Sequence, residues 1–200
     1  MATGIVLAGG SSSRFGSDKA SALLNGRPLL EHVVAAVAAV CDEVVVVCRR
    51  AQPLPALAPA VPLRLAFDEV EGLGPLAGLV AGLEAAGDEH CFVASCDVPL
   101  LRAGVVALLL ARLPGHAAVV PLVGGREQLL VAAYDPAVAL QPLRASLQAG
   151  VRRVREAVRT VHPLLVGEAD LLLVDPDLAS FANVNDPAGL AALSARRTDG

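Results

Sequence analysis

Leu7-Ala8-Gly9-Gly10-Ser11-Ser12-Ser13-Arg14-Phe15-Gly16-Ser17-Asp18-Lys19 closes a short apolar run, Gly4 to Ala8, with small residues and two cations. On its far side, Leu29, Leu30, Val33, Val34, Val37 and Val40 recur at helical spacing behind Pro28, a residue suited to a first helical turn. A second apolar run, Glu43 to Cys48 with four consecutive valines, is too continuous for a half-exposed strand. The order is therefore strand, loop, helix, strand, the unit of a parallel sheet.

The same alternation carries outward. Arg49 to Pro62 holds four prolines and reads as a loop, and Leu63 to Phe67 as a third strand ending at Asp68. Gly74 and Pro75 open a helix with Leu76, Leu79, Val80 and Leu83 on one stripe, which feeds a strand over Cys91 to Ser95. Arg102 to Arg112 is helical and Ala117 to Leu122 a strand. Gly124-Gly125 predicts a tight reversal into Leu129 to Tyr134, which would then run antiparallel. Pro136 to Gln148, Val151 to Val158 and Pro187 to Ser194 read as helices, and Val161 to Val166 as a strand. The expected fold is α/β, a three-layer doubly wound, mostly parallel sheet with one antiparallel strand. Residues 1–194 form one domain in this reading and 195–200 a polar tail.

Composition excludes several function classes. With 200 residues, 54% hydrophobic and 18% charged, the chain has material for a sizeable core and none of the polar excess of disorder. Four Phe, one Tyr and no Trp leave few platforms for stacking single-stranded nucleic acid. A net charge of -4, from 16 Lys+Arg against 20 Asp+Glu, sets up no general field for a polyanion. No nucleic-acid partner is expected, and any phosphate site must be local. No apolar run approaches the roughly 18 residues of a membrane span, so no membrane association is expected. The first Arg, Arg14, follows the apolar start instead of preceding it, the reverse of a signal peptide, so the segment reads as mature sequence. Cys41, Cys48, Cys91 and Cys96 form no C-x-x-C and are too sparse for a disulfide scaffold, which predicts reduced thiols and a cytoplasmic location. His90, Cys91 and Cys96 do not fit a zinc site, since strand alternation turns Cys91 away from the other two.

In open α/β sheets a ligand sits outside the carboxyl ends of the strands, where the opening stretch lies. Its glycines allow close backbone approach to an oxyanion, and Arg14 and Lys19 supply fixed positive charge. It is longer than the roughly 2–6 residues usual for such a connection. It lacks the Gly-Lys-Ser/Thr of a Walker P-loop and the spacing of a Rossmann fingerprint, which disfavours a kinase, GTPase or dehydrogenase. Asp97, at a strand end before Pro99, is either a cation ligand or a cap for the following helix. Asn183 and Asn185 bracket one Val, so in extended chain both amides face the same side, toward a ligand or toward backbone at the helix beginning at Pro187. Asp186 is the better-placed cap.

Taken together, these marks resemble the molybdenum cofactor guanylyltransferases, a branch of the nucleotidyltransferase superfamily. The likeness covers nearly the whole chain. Leu7 to Lys19 matches the family's L-A-G-G-x-S-x-R-[MF]-G-x-D-K without a gap. Asp68 precedes Gly74-Pro75-Leu76-Ala77-Gly78, then come Cys96-Asp97-Val98-Pro99 and Asn183-Val184-Asn185-Asp186-Pro187. One departure is Val47, where relatives often carry an Asn near the end of the second strand.

The resemblance implies a Rossmann-like nucleotidyltransferase fold that transfers GMP from Mg-GTP to the terminal phosphate of molybdopterin, with or without its molybdenum. A CTP-using cytidylyltransferase, a different phosphate acceptor or a non-catalytic nucleotide carrier are its rivals. By the same likeness Arg14, Lys19 and Asp97 are catalytic, and Asp97 holds Mg²⁺. Leu7, Ala8, Gly9, Gly10, Lys19, Asp68 and Asp97 bind nucleotide, and Asn183 and Asn185 face the acceptor. Gly9-Gly10 favours guanine, because a methyl there would crowd a purine. Arg152, Arg153 and Arg155 either help bind the acceptor's phosphate or form a solvated face. Transient cofactor-delivery and cofactor-receiving proteins are further expected partners.

Overall fold

A computed structural model describes residues 1–9, 19–68, 74–87 and 90–196, with side chains as far as 193. In chain order it contains β1 (Ala2–Leu7), β2 (Leu23–Leu24), β3 (Arg27–Pro28), α1 (Leu29–Ala38), β4 (Glu43–Cys48), β5 (Leu63–Phe67), α2 (Pro75–Ala86) and β6 (His90–Ser95). There follow α3 (Ala103–Arg112), β7 (Ala118–Val123), β8 (Arg126–Glu127), β9 (Val131–Tyr134), α4 (Pro136–Gln148), α5 (Val154–Arg159), β10 (Leu164–Val166), α6 (Glu168–Leu171) and α7 (Pro187–Arg196).

The main sheet runs β10-β7-β9-β6-β1-β4-β5, with β8 paired to β7. β1, β4, β5 and β6 are mutually parallel, as are β7 and β10, while β9 runs antiparallel to both its neighbours. The doubly wound architecture with one long antiparallel strand is as the sequence predicts. The reversal is built differently: Gly124 and Gly125, both at positive φ, turn β7 into the two-residue β8, and the chain reaches β9 only after Gln128–Leu130.

Strict alternation explains the three layers. Val6, Val44, Val46, Phe92 and Ala94 face α1 and α3 on one side, and Ile5, Val45, Val47, Cys91 and Val93 face α2, α4 and α5 on the other. Two glycines set how closely the helices approach. A Cβ on Gly4 would lie 1.9 Å from Val37 Cγ1, and one on Gly82 2.5 Å from Ile5 Cγ2. That close approach is why β1 carries a glycine and still extends from Ala2.

Element boundaries moved where local chemistry intervened. Pro28 sits at the N-cap of α1 and pairs with Leu23, because Asn25 and Gly26 at positive φ fold a small hairpin just before the helix. The strand expected over Val161 to Val166 begins only at Leu164, after His162 at positive φ and Pro163. Its helix neighbour begins at Val154, three residues later than Val151.

Candidate functional site

The strand order places a switch point between β6 and β1. From β1 the chain winds outward through β4 and β5, then returns to lay β6 on the other side of β1. Connections leave in opposite directions there and open a crevice at the carboxyl edge. Leu7, Cys48, Phe67 and Ser95 end their strands at that edge, and the segments that follow them carry Lys19, Asp68 and Asp97.

Lys19 opens a single 3-10 turn, Lys19–Ser21, and its Nζ lies 3.2 Å from Asp97 Oδ2. The same ammonium donates to Asn185 Oδ1 at 3.5 Å. Three residues from separate parts of the chain thus meet at one point, with the Lys19 and Asp97 side chains 18% and 21% exposed. The Asp97 carboxylate is oriented from its other oxygen, Oδ1, which accepts from the Ser95 hydroxyl. Its backbone is fixed as well, since the Asp97 carbonyl accepts the Val184 amide at 2.8 Å and the Cys96 amide donates to the Leu7 carbonyl at 3.0 Å. Asp97 does not cap α3: that helix starts at Ala103 with Arg102 at its N-cap and no side-chain cap.

Alternation over Asn183–Asn185 holds. Val184 is buried with Leu24 and Leu29, and both asparagines are exposed. Asp186 is the cap of α7, its Oδ1 accepting the Gly189 amide at 2.7 Å, so neither asparagine is needed there.

The residues expected on the nucleotide side divide into side chains and backbone. Leu7 and Ala8 are buried, so they offer the crevice main chain only. The Ala8 and Gly9 amides both donate to the Val47 carbonyl, at 2.8 and 3.2 Å, and are therefore committed within the protein. The anion cradle expected of this loop falls on Gly10 to Asp18, with Gly10 and Arg14 among them, outside the described residues. Val47 keeps its side chain in the core at 1% exposure and serves the loop through its carbonyl. Among the described residues a Cβ on Gly9 would meet only Cys48 Cα, at 4.0 Å. Asp68 is half-buried beyond β5, its amide donating to the Cys48 carbonyl at 3.0 Å. It follows the edge strand β5, three strands across the sheet from the β6 that Asp97 follows.

Two contributors carry no local sequence signal. Ser95 acts through Asp97 as above, and Gln52 bridges from the proline-rich loop, its Nε2 donating to the Ala8 carbonyl at 2.9 Å. A partner across 44 residues leaves no pattern to find. Of the arginines offered as possible acceptor contacts, Arg153 pairs with Glu156 and Arg155 with Glu127, which also takes Arg159. Arg152 lies beside the start of α2, its carbonyl 3.8 Å from where a Gly74 Cβ would stand.

A divalent cation fits this donor set. Among the described residues no group of three or more His, Cys, Asp or Glu side chains could hold an ion. A single partly exposed carboxylate suits Mg²⁺, which takes one or two carboxylates and completes its shell with phosphate and water. Cys91 and Cys96 pack into opposite faces of the sheet, which rules them out as joint ligands. No helix among the described residues is long and apolar enough to cross a membrane.

Comparison with known proteins agrees with this layout. The MobA-like NTP transferase domain matches residues 4–181. A molybdenum cofactor guanylyltransferase of Desulfosudis oleivorans is 36% identical over 186 residues, covering 92% of this chain and 89% of the relative. Molybdopterin-guanine dinucleotide biosynthesis protein A from Archaeoglobus fulgidus superposes with a TM-score of 0.81 at 24% identity, over 99% of this chain and 100% of that one. The 2-C-methyl-D-erythritol 4-phosphate cytidylyltransferase of Thermus thermophilus shares the fold at a TM-score of 0.72 and 19% identity, over 99% and 100% of the chains. The chain is thus a nucleotidyltransferase and belongs to the MobA-like NTP transferase family, in its molybdenum cofactor guanylyltransferase branch.

Proposed function

We propose that the protein transfers GMP from Mg-GTP to the terminal phosphate of molybdopterin. An oxygen of that phosphate bonds to the α-phosphorus, the bond from it to the bridging α–β oxygen breaks, and pyrophosphate leaves. The attacking oxygen is already anionic at neutral pH, so no catalytic base is needed, and the protein's task is positioning and charge neutralisation. The observation that carries the reading is the meeting of Lys19, Asp97 and Asn185 within 3.5 Å contacts at the switch point.

Lys19 neutralises charge on the triphosphate, and Arg14 is assigned the same duty. Asp97, oriented by Ser95, holds the metal, which supplies charge stabilisation at the transferred phosphate. Among the described residues a Cβ on Gly9 would meet only Cys48 Cα, which supports a guanine base there, and Gly10 and the main chain of Leu7 and Ala8 are assigned to the nucleotide with it. Asp68, an acceptor at the end of β5, is assigned to donors on guanine or ribose. Asn183 and Asn185, exposed on one side, face the acceptor. Four buried thiols fit a reducing, cytoplasmic setting, and handing an unstable pterin between proteins favours transient contact with delivering and receiving proteins.

The test is to incubate purified protein with Mg²⁺, molybdopterin and each nucleoside triphosphate and follow pyrophosphate. GTP-dependent release is expected. A preference for CTP would replace guanylyl with cytidylyl transfer, and nucleotide binding with no pyrophosphate would make the protein a carrier.

A further inference from the structure

The loop after β6 and the segment carrying the asparagines are tied together at two points, and only one of them lies in the site. The near tie is the Val184 amide on the Asp97 carbonyl. The far tie centres on Asp175, a carboxylate with 0% exposure. Its Oδ1 faces Arg102 Nε at 3.1 Å and accepts the Ala179 amide at 3.2 Å, and its Oδ2 accepts the Ser180 amide at 2.9 Å. Arg102 answers with its own backbone: its amide donates to the buried Ser180 hydroxyl at 3.0 Å, while its Nη2 reaches Asp177 Oδ1 at 2.6 Å.

A buried carboxylate is tolerated only when paired and fully hydrogen-bonded, and here both conditions are met across the two segments. Between the ties run two short stretches, 98–101 and 181–183. With both ends held, Asn183 has little freedom to shift relative to Asp97, and Asn185 follows directly on the near tie at Val184.

We propose that Arg102 and Asp175 are positioning residues for the acceptor half of the reaction. They touch no substrate, and fix where Asn183 and Asn185 stand with respect to Asp97. The proposal rests on the acceptor-side assignment of the two asparagines made above. It implies a split effect: loosening the clasp harms the use of molybdopterin and spares the binding of GTP, because Gly9, Asp68 and Lys19 are carried by other segments and Asp97 is held from β1 and β6 by the Cys96 amide on the Leu7 carbonyl and by the Ser95 hydroxyl.

The variants are Arg102→Gln, Ser180→Ala and the double Arg102→Gln/Asp175→Asn, the last keeping a neutral hydrogen-bonding pair where the single change strands a buried charge. Steady-state kinetics with either substrate varied should show the KM for molybdopterin raised about tenfold or more in Arg102→Gln, with the KM for GTP within about threefold of wild type. The double variant should fall between the two. Hydrogen exchange at residues 181–185 should speed up in Arg102→Gln and stay unchanged in β4. A lowered melting temperature with both KM values within threefold, or unchanged exchange at 181–185, would overturn the proposal. A wild type that releases no pyrophosphate would overturn the proposed function and this proposal with it, whereas an active wild type with unchanged variant constants overturns this proposal alone.

Discussion

Replacing Lys19 by Met removes one charge and keeps most of the stem. A unit-charge pair at 3.2 Å, the separation seen to Asp97 Oδ2, is worth about 5 kcal/mol at an effective dielectric of 20. A phosphate oxygen at similar reach would feel the same field. Water reaches the group, since Lys19 is 18% exposed, so we take about half of that ceiling as the loss. The result is about 2.7 kcal/mol, or a hundredfold in kcat/KM. The fold should survive, because a partly exposed pair contributes at most about 1 kcal/mol to stability. The assay is pyrophosphate release at saturating molybdopterin with GTP varied. A drop confined to kcat places the interaction in the transition state, and a rise confined to KM places it in ground-state binding. A variant within threefold of wild type in kcat/KM would refute the role of Lys19.

Gly9→Ala should melt within about 2 °C of wild type, since the protein leaves its Cβ in ordinary contact, yet raise the KM for GTP about tenfold; an unchanged KM would mean no base lies against that position. Glu43 is held below the usual carboxylate range by hydrogen bonds from the Arg64 guanidinium and, secondarily, the Thr3 hydroxyl, and by the Arg64 charge. A carboxyl depressed in the folded state adds stability that is complete above its unfolded value and is lost as pH falls through the folded one. The urea-unfolding gap between wild type and Glu43→Gln should therefore be open at pH 7 and narrow as pH falls below the ordinary glutamate value; a gap that stays constant through that range and on into acid would contradict this. All four cysteines are buried, and burial together with the Asp42 charge pushes the Cys41 thiol up to about 12. An aromatic disulfide reagent at pH 8 should label no thiol in the native protein over minutes and all four once urea unfolds it; prompt labelling of Cys41 would show that its pocket opens.

Much of the fold was legible wherever burial is continuous or a cap is local. Glu43 to Cys48 is a strand at both predicted ends because unbroken Val packing on two faces admits little else. Pro136 to Gln148 is likewise matched end to end: Asp135 accepts the Ala137 amide and Pro136 fills the first turn. The hairpin of β2 and β3 was missed although Asn25-Gly26 signals it, because two-residue strands have no periodicity. α6 was missed for the same reason at four residues. At the site, strand ends and family motifs pointed to Lys19, Asp97 and Asn185, and the structure brings all three together. Ser95, Gln52 and Asp175 stayed hidden, because each works through one partner whose proximity only the folded chain creates.

β9 gives the sheet an order of completion. The strands that bear Leu7, Cys48, Phe67 and Ser95 are all made before residue 96, so these four strand ends at the carboxyl edge come early in synthesis. β6 keeps an unpaired edge until Val131–Tyr134 arrives to pair with it, and only then are β7 and β10 joined to the rest. The asparagine segment comes later still, near the end of the chain. The rim that carries Asn183 and Asn185 is thus the last to be made, and it meets strand ends that precede it in the chain.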